Sequence, residues 1–142
     1  MRAFILRALV LSIAGIGAGC SGDINDLPTT PDPVVVTETF SGTININGAA
    51  THNVFTSATG TVSATLTSLT PVGESAPSKI GFSMGTLSTI GNCTVVLVND
   101  SSVVNTSLTG TVSSLGGSLC VRVYDVGALT ESVSYTLTVS HP

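Results

Sequence analysis

The chain has 142 residues, a formal net charge of −4 and a sequence pI near 4.7, a length typical of one domain. Only 8% of its residues are charged, 4% are aromatic, and it contains no tryptophan. These values exclude a basic nucleic-acid-binding surface and argue against aromatic platforms that stack on bases or sugars. The abundance of Thr, Ser, Val and Gly instead favours short β-strands and turns.

Residues 1–19 have the pattern of an export signal. Arg2 and Arg7 give a positively charged start, and an uncharged, mostly apolar run follows from Ala8 to Gly19. This run is shorter than the roughly 20 residues that a helix needs to cross a bilayer. The segment therefore predicts a cleaved signal peptide and not a membrane span.

The signal ends in the small residues Gly17, Ala18 and Gly19, which are followed by Cys20. This pattern resembles the lipobox of bacterial lipoproteins. The resemblance implies cleavage before Cys20 and acylation of that cysteine, which would anchor the chain in membrane lipid. Ser21 in the next position resembles the pattern of lipoproteins sent to the outer membrane of diderm bacteria. The alternative is an ordinary signal peptide that is cut near Ala18 and leaves a free thiol.

The chain has three cysteines, an odd number for an exported protein. If Cys20 is acylated, Cys93 and Cys120 remain, and an oxidising compartment allows them to form one disulfide. That bridge would close a loop of about 28 residues and contribute about 3.6 kcal/mol in the chain-entropy model.

Strand alternation allows two orientations of this disulfide. If Leu119 faces the core, Cys120 points away from it. A Cys93 on the same outer side would then place Val96 and Val98 inward. A buried bridge between two sheets would reverse all of these orientations.

Residues 20–38 lie between the signal and the first clear strand pattern. Pro28, Pro31 and Pro33, together with three aspartates, predict a semi-extended tether. Removal of residues 1–19 leaves Lys79 and Arg122 against eight acidic residues. The mature protein is therefore acidic, and we expect the lipid, not the protein surface, to hold it at an anionic membrane.

From residue 39 to residue 142, apolar and polar residues alternate with a period of two, which is typical of half-buried β-strands. Val95 to Val98 is continuously apolar, which predicts a strand covered on both faces. The pattern predicts an all-β domain, a single antiparallel β-sandwich of immunoglobulin-like or jelly-roll-like type with seven or eight short strands. The alternating apolar positions are Phe40, Gly42, Ile44 and Ile46; Val62, Ala64 and Leu66; Ile80, Phe82 and Met84; Leu108, Gly110 and Val112; Leu119, Val121 and Val123; and Val133, Tyr135, Leu137 and Val139.

Residues 39–142 resemble the bacterial pre-peptidase C-terminal domain (PPC-like domain). The motifs that carry this resemblance are Phe40-x-Gly42, His52-x-x-Phe55, Gly60-x-Val62-x-Ala64-x-Leu66, Leu108-x-Gly110, the run from Gly116 to Asp125, and the run from Ser134 to Val139. In that family these domains are small β-sandwiches appended to secreted peptidases and other exported proteins. The resemblance implies an accessory, non-catalytic role and a packing role for His52.

No pattern in the sequence predicts a catalytic site or a cofactor. His52 and His141 are the two histidines, no Gly-x-Ser-x-Gly motif is present, and His141 is expected to fray. Calcium is the least implausible ion, and Asp100 and Asp125 at strand ends are its candidate ligands. Aspartates at these positions are equally expected to form turns. Asp125, for example, precedes Val126-Gly127, where a turn is expected.

The sequence thus predicts a non-catalytic, lipid-anchored protein of the bacterial cell envelope whose sandwich binds or scaffolds an envelope protein. The alternative is a carbohydrate- or polymer-binding module with a polysaccharide partner. Such modules usually present exposed aromatic residues, and this domain offers only Tyr124 and Tyr135. Tyr135 alternates with core positions, so the alternative depends on Tyr124.

Overall fold

The computed structural model describes residues 31–73 and 79–142. In this part of the chain every regular element is a β-strand, and all pairings are antiparallel. The strands are β1 (Val36–Ile44), β2 (Ala49–Thr56), β3 (Gly60–Pro71), β4 (Ile80–Leu87), β5 (Cys93–Ser102), β6 (Ser107–Val112), β7 (Gly117–Tyr124) and β8 (Val133–His141).

The strands form two four-stranded sheets, in the orders β1-β8-β3-β6 and β2-β7-β4-β5. The prediction of an all-β antiparallel sandwich is confirmed. Since each sheet is open, β1, β6, β2 and β5 are edge strands, each with one hydrogen-bonded neighbour in the described chain. β5 and β6 form one side of the sandwich and β1 and β2 form the other, and contacts join the two sheets on both sides.

The core lies between the sheets and is built by the predicted alternation. In β8 every second residue, from Val133 to His141, is buried, and the residues between them are more exposed. β3 and β7 contribute in the same way through Val62, Leu66 and Val121, which are at most 1% exposed. This alternation places one face of each sheet against the other.

The first strand begins at Val36, three residues inside the segment assigned to the tether. Val36 is paired with His141, so the beginning of β1 lies beside the end of β8. The signal peptide, Cys20 and residues 20–30 of the tether lie outside the described residues. In the described part of the chain, no helix is long and apolar enough to cross a membrane.

Candidate functional site: the β5 edge, its disulfide and its cleft

Cys93 and Cys120 form the predicted disulfide, with their Cα atoms 5.8 Å apart. The bridge joins β5 to β7 within one sheet, across the intervening strand β4. Cys120 is fully buried, but it alternates along β7 with the core residues Leu119 and Val121, so it lies on the other face of the sheet. The bridge is therefore on the outer face and does not connect the two sheets.

A glycine in β4 allows the two cysteines to meet. Gly85 is paired with both Cys120 of β7 and Val95 of β5. A Cβ atom on Gly85 would overlap the carbonyl oxygen of Thr94, so the β5 backbone lies directly against this position. Because Gly85 has no side chain, the beginning of β5 can approach β7 closely enough for the bridge to form.

The structure corrects the prediction for the apolar run in β5. The sequence predicts that Val95 to Val98 is covered on both faces, and an outward-facing bridge, as observed, carries the expectation that Val96 and Val98 point inward. Instead β5 is an edge strand, and Val96 and Val98 are 67% and 56% exposed. Leu97 is the residue that packs against the core.

The physical reason for this difference is a bulge. Met84 pairs with Leu97 but Gly85 pairs with Val95, so Val96 has no partner on β4. An extra residue in one strand shifts the alternation on either side of it. The prediction assumes one uninterrupted alternation of inward and outward side chains from Cys93 to Val98. The bulge at Val96 reverses that alternation, so Leu97 points inward and Val98 outward.

Below this bulge, a cleft opens between β5 and β6, at the side of the sandwich where few contacts join the sheets. Its volume is about 160 Å³. Apolar side chains from both sheets line it together with Gly85 and Gly110. The lining residues are Val62, Met84, Gly85, Thr86, Val96, Leu97, Gly110, Thr111, Val112 and Leu119.

A second, more polar cavity adjoins the cleft. Its volume is about 290 Å³, and it shares Thr86, Thr111, Val112 and Leu119 with the cleft. Its other walls are Ser113, Ser114, Gly117 and Ser118. Neither cavity is lined by a charged side chain. The lining therefore changes from mainly apolar residues in the cleft to mainly serine and threonine residues in the second cavity, and neither lining carries a formal charge.

On the outer face of the same sheet, Tyr124 reaches across β4 to β5. Its hydroxyl donates a hydrogen bond to the carboxylate of Asp100, and a Cβ atom on Gly81 would overlap its ring. The Arg122 guanidinium lies 5.5 Å from the ring centroid. Burial, and next the hydrogen bond to Asp100, raise the pKa of Tyr124 to about 12. One face of the ring thus covers Gly81.

Asp125, the second candidate calcium ligand, forms the turn that follows β7. Its Oδ2 accepts the backbone N–H of Asn47, and its Oδ1 accepts those of Gly127, Ala128 and Leu129. These hydrogen bonds, led by the one from Asn47, hold the pKa of Asp125 below its usual value. The Asp125 carboxylate therefore accepts the backbone hydrogen bonds of a turn, which is the turn-forming role that the sequence offered as the alternative to calcium binding.

The structure does not bring these candidate residues together with other ligands. Asp100 is bonded to Tyr124, and Asp125 is bonded to backbone amides. Over residues 31–73 and 79–142, no group of three or more His, Cys, Asp and Glu side chains is placed to hold a metal ion.

His52 lies in β2, on the β1–β2 side of the sandwich, and His141 is the last residue of β8. His52 Nε2 is 2.7 Å from the Tyr135 hydroxyl oxygen, and its ring centroid is 4.8 Å from that of Phe40. Burial lowers the pKa of His52. This contact links β2 of one sheet to β8 of the other.

His141 is buried and does not fray, contrary to the prediction. It ends β8 opposite Val36, and its Nε2 lies 3.6 Å from a Glu38 carboxylate oxygen. The sequence pattern missed this because β1 begins early enough to cover the last residues of β8.

Comparison with known proteins adds no identification, since no family model and no curated protein matches the chain.

Proposed function

We propose that this chain is a non-catalytic, lipid-anchored protein of the bacterial cell envelope, whose sandwich binds or scaffolds a partner. Ser21, directly after the lipidated cysteine, directs it to the outer membrane. The observation that carries the proposal is the pairing of Cys93 with Cys120. It accounts for two of the three cysteines and leaves Cys20 as the odd thiol, directly behind a signal-like segment. A disulfide also suits an oxidising compartment outside the cytoplasm.

A binding role is supported by the β5 edge. This edge exposes Val95, Val96 and Val98 beside an apolar cleft, and soluble proteins seldom expose such groups together without a use. The sequence motifs of residues 39–142 are the basis of the PPC-like relationship, which we propose as well. That relationship supports an accessory role and not a catalytic one.

The anchor is tested by the intact mass of the protein extracted from membranes of cells that express the full chain. We expect a chain that begins at Cys20 and carries added acyl mass. A chain that begins near Ser21 or after Ala18, without added mass, would contradict the proposal. The Cys20→Ser variant should leave the membrane fraction, whereas Ser41→Ala, a change at an exposed position in β1, should stay in it.

The outer-membrane assignment has its own test. Inner and outer membranes are separated by density, and the protein is located by antibody. The native chain should be found with the outer membrane, and Ser21→Asp should move it toward the inner membrane. Identical distributions of the two proteins would refute a sorting role for Ser21.

The non-catalytic role is tested by screening the purified protein against broad sets of hydrolase substrates. We expect no turnover. An activity that survives further purification and is lost on mutation of one residue would overturn the proposal.

A further inference from the structure

The cleft between β5 and β6 exists because a core-facing position holds no side chain. In β6, Leu108, Gly110 and Val112 share the inward face, and Leu108 is buried in the core. Gly110 lies between the two apolar residues, opposite Val62 of β3. The gap it leaves is bordered by Leu97 of β5 and Met84 of β4.

The backbone does not require glycine at this position. Gly110 is absent from the glycines with positive φ, which are Gly60, Gly91, Gly116 and Gly127. A Cβ atom on Gly110 would lie 3.4 Å from both Leu97 Cδ1 and Met84 Cε, at ordinary contact distance. Alanine would therefore fit, and larger side chains would extend into the cleft. Because apolar side chains beside an unfilled space lose packing contacts, the missing side chain is better explained by an occupant than by folding.

The dimensions and chemistry of the two cavities define that occupant. Apolar cavities of about 150 Å³ hold a molecule of about six carbon atoms, such as benzene. The cleft, at about 160 Å³, has room for a similar number of methylene groups. Thr86 and Thr111 line both cavities, and the polar cavity adds Ser113, Ser114 and Ser118 to its lining.

We propose that this site binds a single-chain amphiphile, with the end of its alkyl chain in the cleft and a neutral, hydroxylated head group in the polar cavity. A charged head group is disfavoured because no lining side chain carries an opposite charge. The inference rests on the binding role proposed above and is independent of the lipid at Cys20.

The test uses the full chain with Cys20→Ser, so that no attached lipid or detergent competes for the site. Octyl glucoside is titrated below its micelle concentration and followed by NMR. We expect saturable shifts centred on the methyl groups of Val62, Val96 and Leu119, which line the cleft. Octanoate, which also has eight carbon atoms in its chain but ends in a charged carboxylate, should bind at least about tenfold more weakly.

Two variants on one strand separate a specific site from general surface binding. Gly110→Leu places a side chain in the cleft and should weaken octyl glucoside binding at least about tenfold in a protein that is still folded at the temperature of the titration. Thr109→Leu adds the same side chain on the exposed, opposite face of β6 and should bind as the native sequence does. Absence of saturable binding, equal binding of Gly110→Leu, or equal affinity for octanoate would each overturn the proposal.

The source of the amphiphile is tested with a monoacylglycerol, presented either as a dilute monomer or in phosphatidylcholine vesicles. Binding of the monomer alone identifies a free amphiphile as the ligand, and flotation with the vesicles as well identifies a membrane lipid. Binding to neither overturns the inference. Since every arm uses Cys20→Ser protein, these results do not depend on whether the native chain is acylated.

Discussion

At the scale of single residues, Asp125 shows how one carboxylate can organise a loop. Its two oxygens accept four backbone N–H groups, from Asn47 before β2 and from three residues after β7. Hydrogen bonds to a charged acceptor contribute more than neutral ones, and the donors lose their partner when it is removed. We expect Asp125→Ala to lower the free energy of unfolding by about 1–3 kcal/mol at neutral pH, measured by urea denaturation.

The pH dependence of this effect follows from the lowered pKa of Asp125. A carboxyl whose pKa is lower in the folded state stabilises the fold above its unfolded pKa, and this contribution is lost as pH falls through the folded value. The difference between native protein and Asp125→Ala should therefore shrink below about pH 4. Asp32→Asn, at an exposed carboxylate before β1, is the control. It should change neither the free energy of unfolding nor the dependence of that free energy on pH. A constant difference across this pH range would refute the assignment.

A second residue-scale prediction concerns His52. Burial lowers its pKa from 6.5, so the unfolded chain takes up a proton at a higher pH than the folded domain does. Stability is therefore retained above pH 6.5 and falls as the pH decreases below it. In His52→Gln, the amide can still bond to the Tyr135 hydroxyl and does not titrate, so this part of the acid loss should disappear.

Urea denaturation at about pH 7.5 and about pH 5 measures the effect. The decrease in the free energy of unfolding between these values should be smaller in His52→Gln than in the native protein. His141→Gln is the matched histidine control, because it leaves the contact between His52 and Tyr135 in place. An equal decrease in the native protein and His52→Gln would show that His52 does not contribute.

At the scale of the strands, two glycines of the β-sheets differ in whether a side chain could replace their hydrogen atom: Gly85 has no space for one, and Gly110 has. A Cβ atom on Gly85 would overlap the backbone of Thr94, which cannot move away without breaking the β4–β5 pairing. A Cβ atom on Gly110 would meet only side-chain atoms, at 3.4 Å. We expect Gly85→Ala to lower the free energy of unfolding by about 1–3 kcal/mol, a typical cost of overpacking.

Gly110→Ala is the matched control, and it should raise stability by about 0.4–1 kcal/mol because it restricts the unfolded chain without strain. Gly85→Ala should also slow formation of the Cys93–Cys120 bridge, measured by thiol labelling during oxidative refolding. Equal stabilities of the two variants would contradict the close approach of β5 to β4.

A comparison of the buried strands with β5 shows what the sequence could and could not predict. The alternation in β7 and β8 predicts their inward faces, because a period of two continues without interruption through each of these strands. In β3 it does so only as far as Leu66, where the register with β8 shifts. In β5 the composition resembled that of a central strand, but neighbouring strands, not composition, decide whether a strand is at an edge. The cleft was also missed, although Gly110 among alternating apolar residues was a visible signal for a missing side chain.

At the scale of the whole molecule, the disulfide compensates for a small core. A domain of about 100 residues buries a limited fraction of its surface, so a covalent link contributes a large part of its stability. Cys93 and Cys120 are 27 residues apart, and loop closure predicts a contribution of about 3.6 kcal/mol. For a domain of this size, that corresponds to a decrease of roughly 15–30 °C in the unfolding temperature when both cysteines are replaced by serine.

This loss should not be uniform across the sandwich. β7 lies between β2 and β4, whereas β5 is hydrogen-bonded to β4 alone and is tied to β7 by the disulfide. In the Cys93→Ser/Cys120→Ser variant, amide hydrogen exchange should therefore accelerate first in β5, with β3 and β8 remaining the slowest. Exchange that accelerates equally in all strands would show that the bridge restrains only the unfolded chain. Faster exchange in β5 would show that the bridge also holds this edge, and with it one wall of the cleft, in the folded protein.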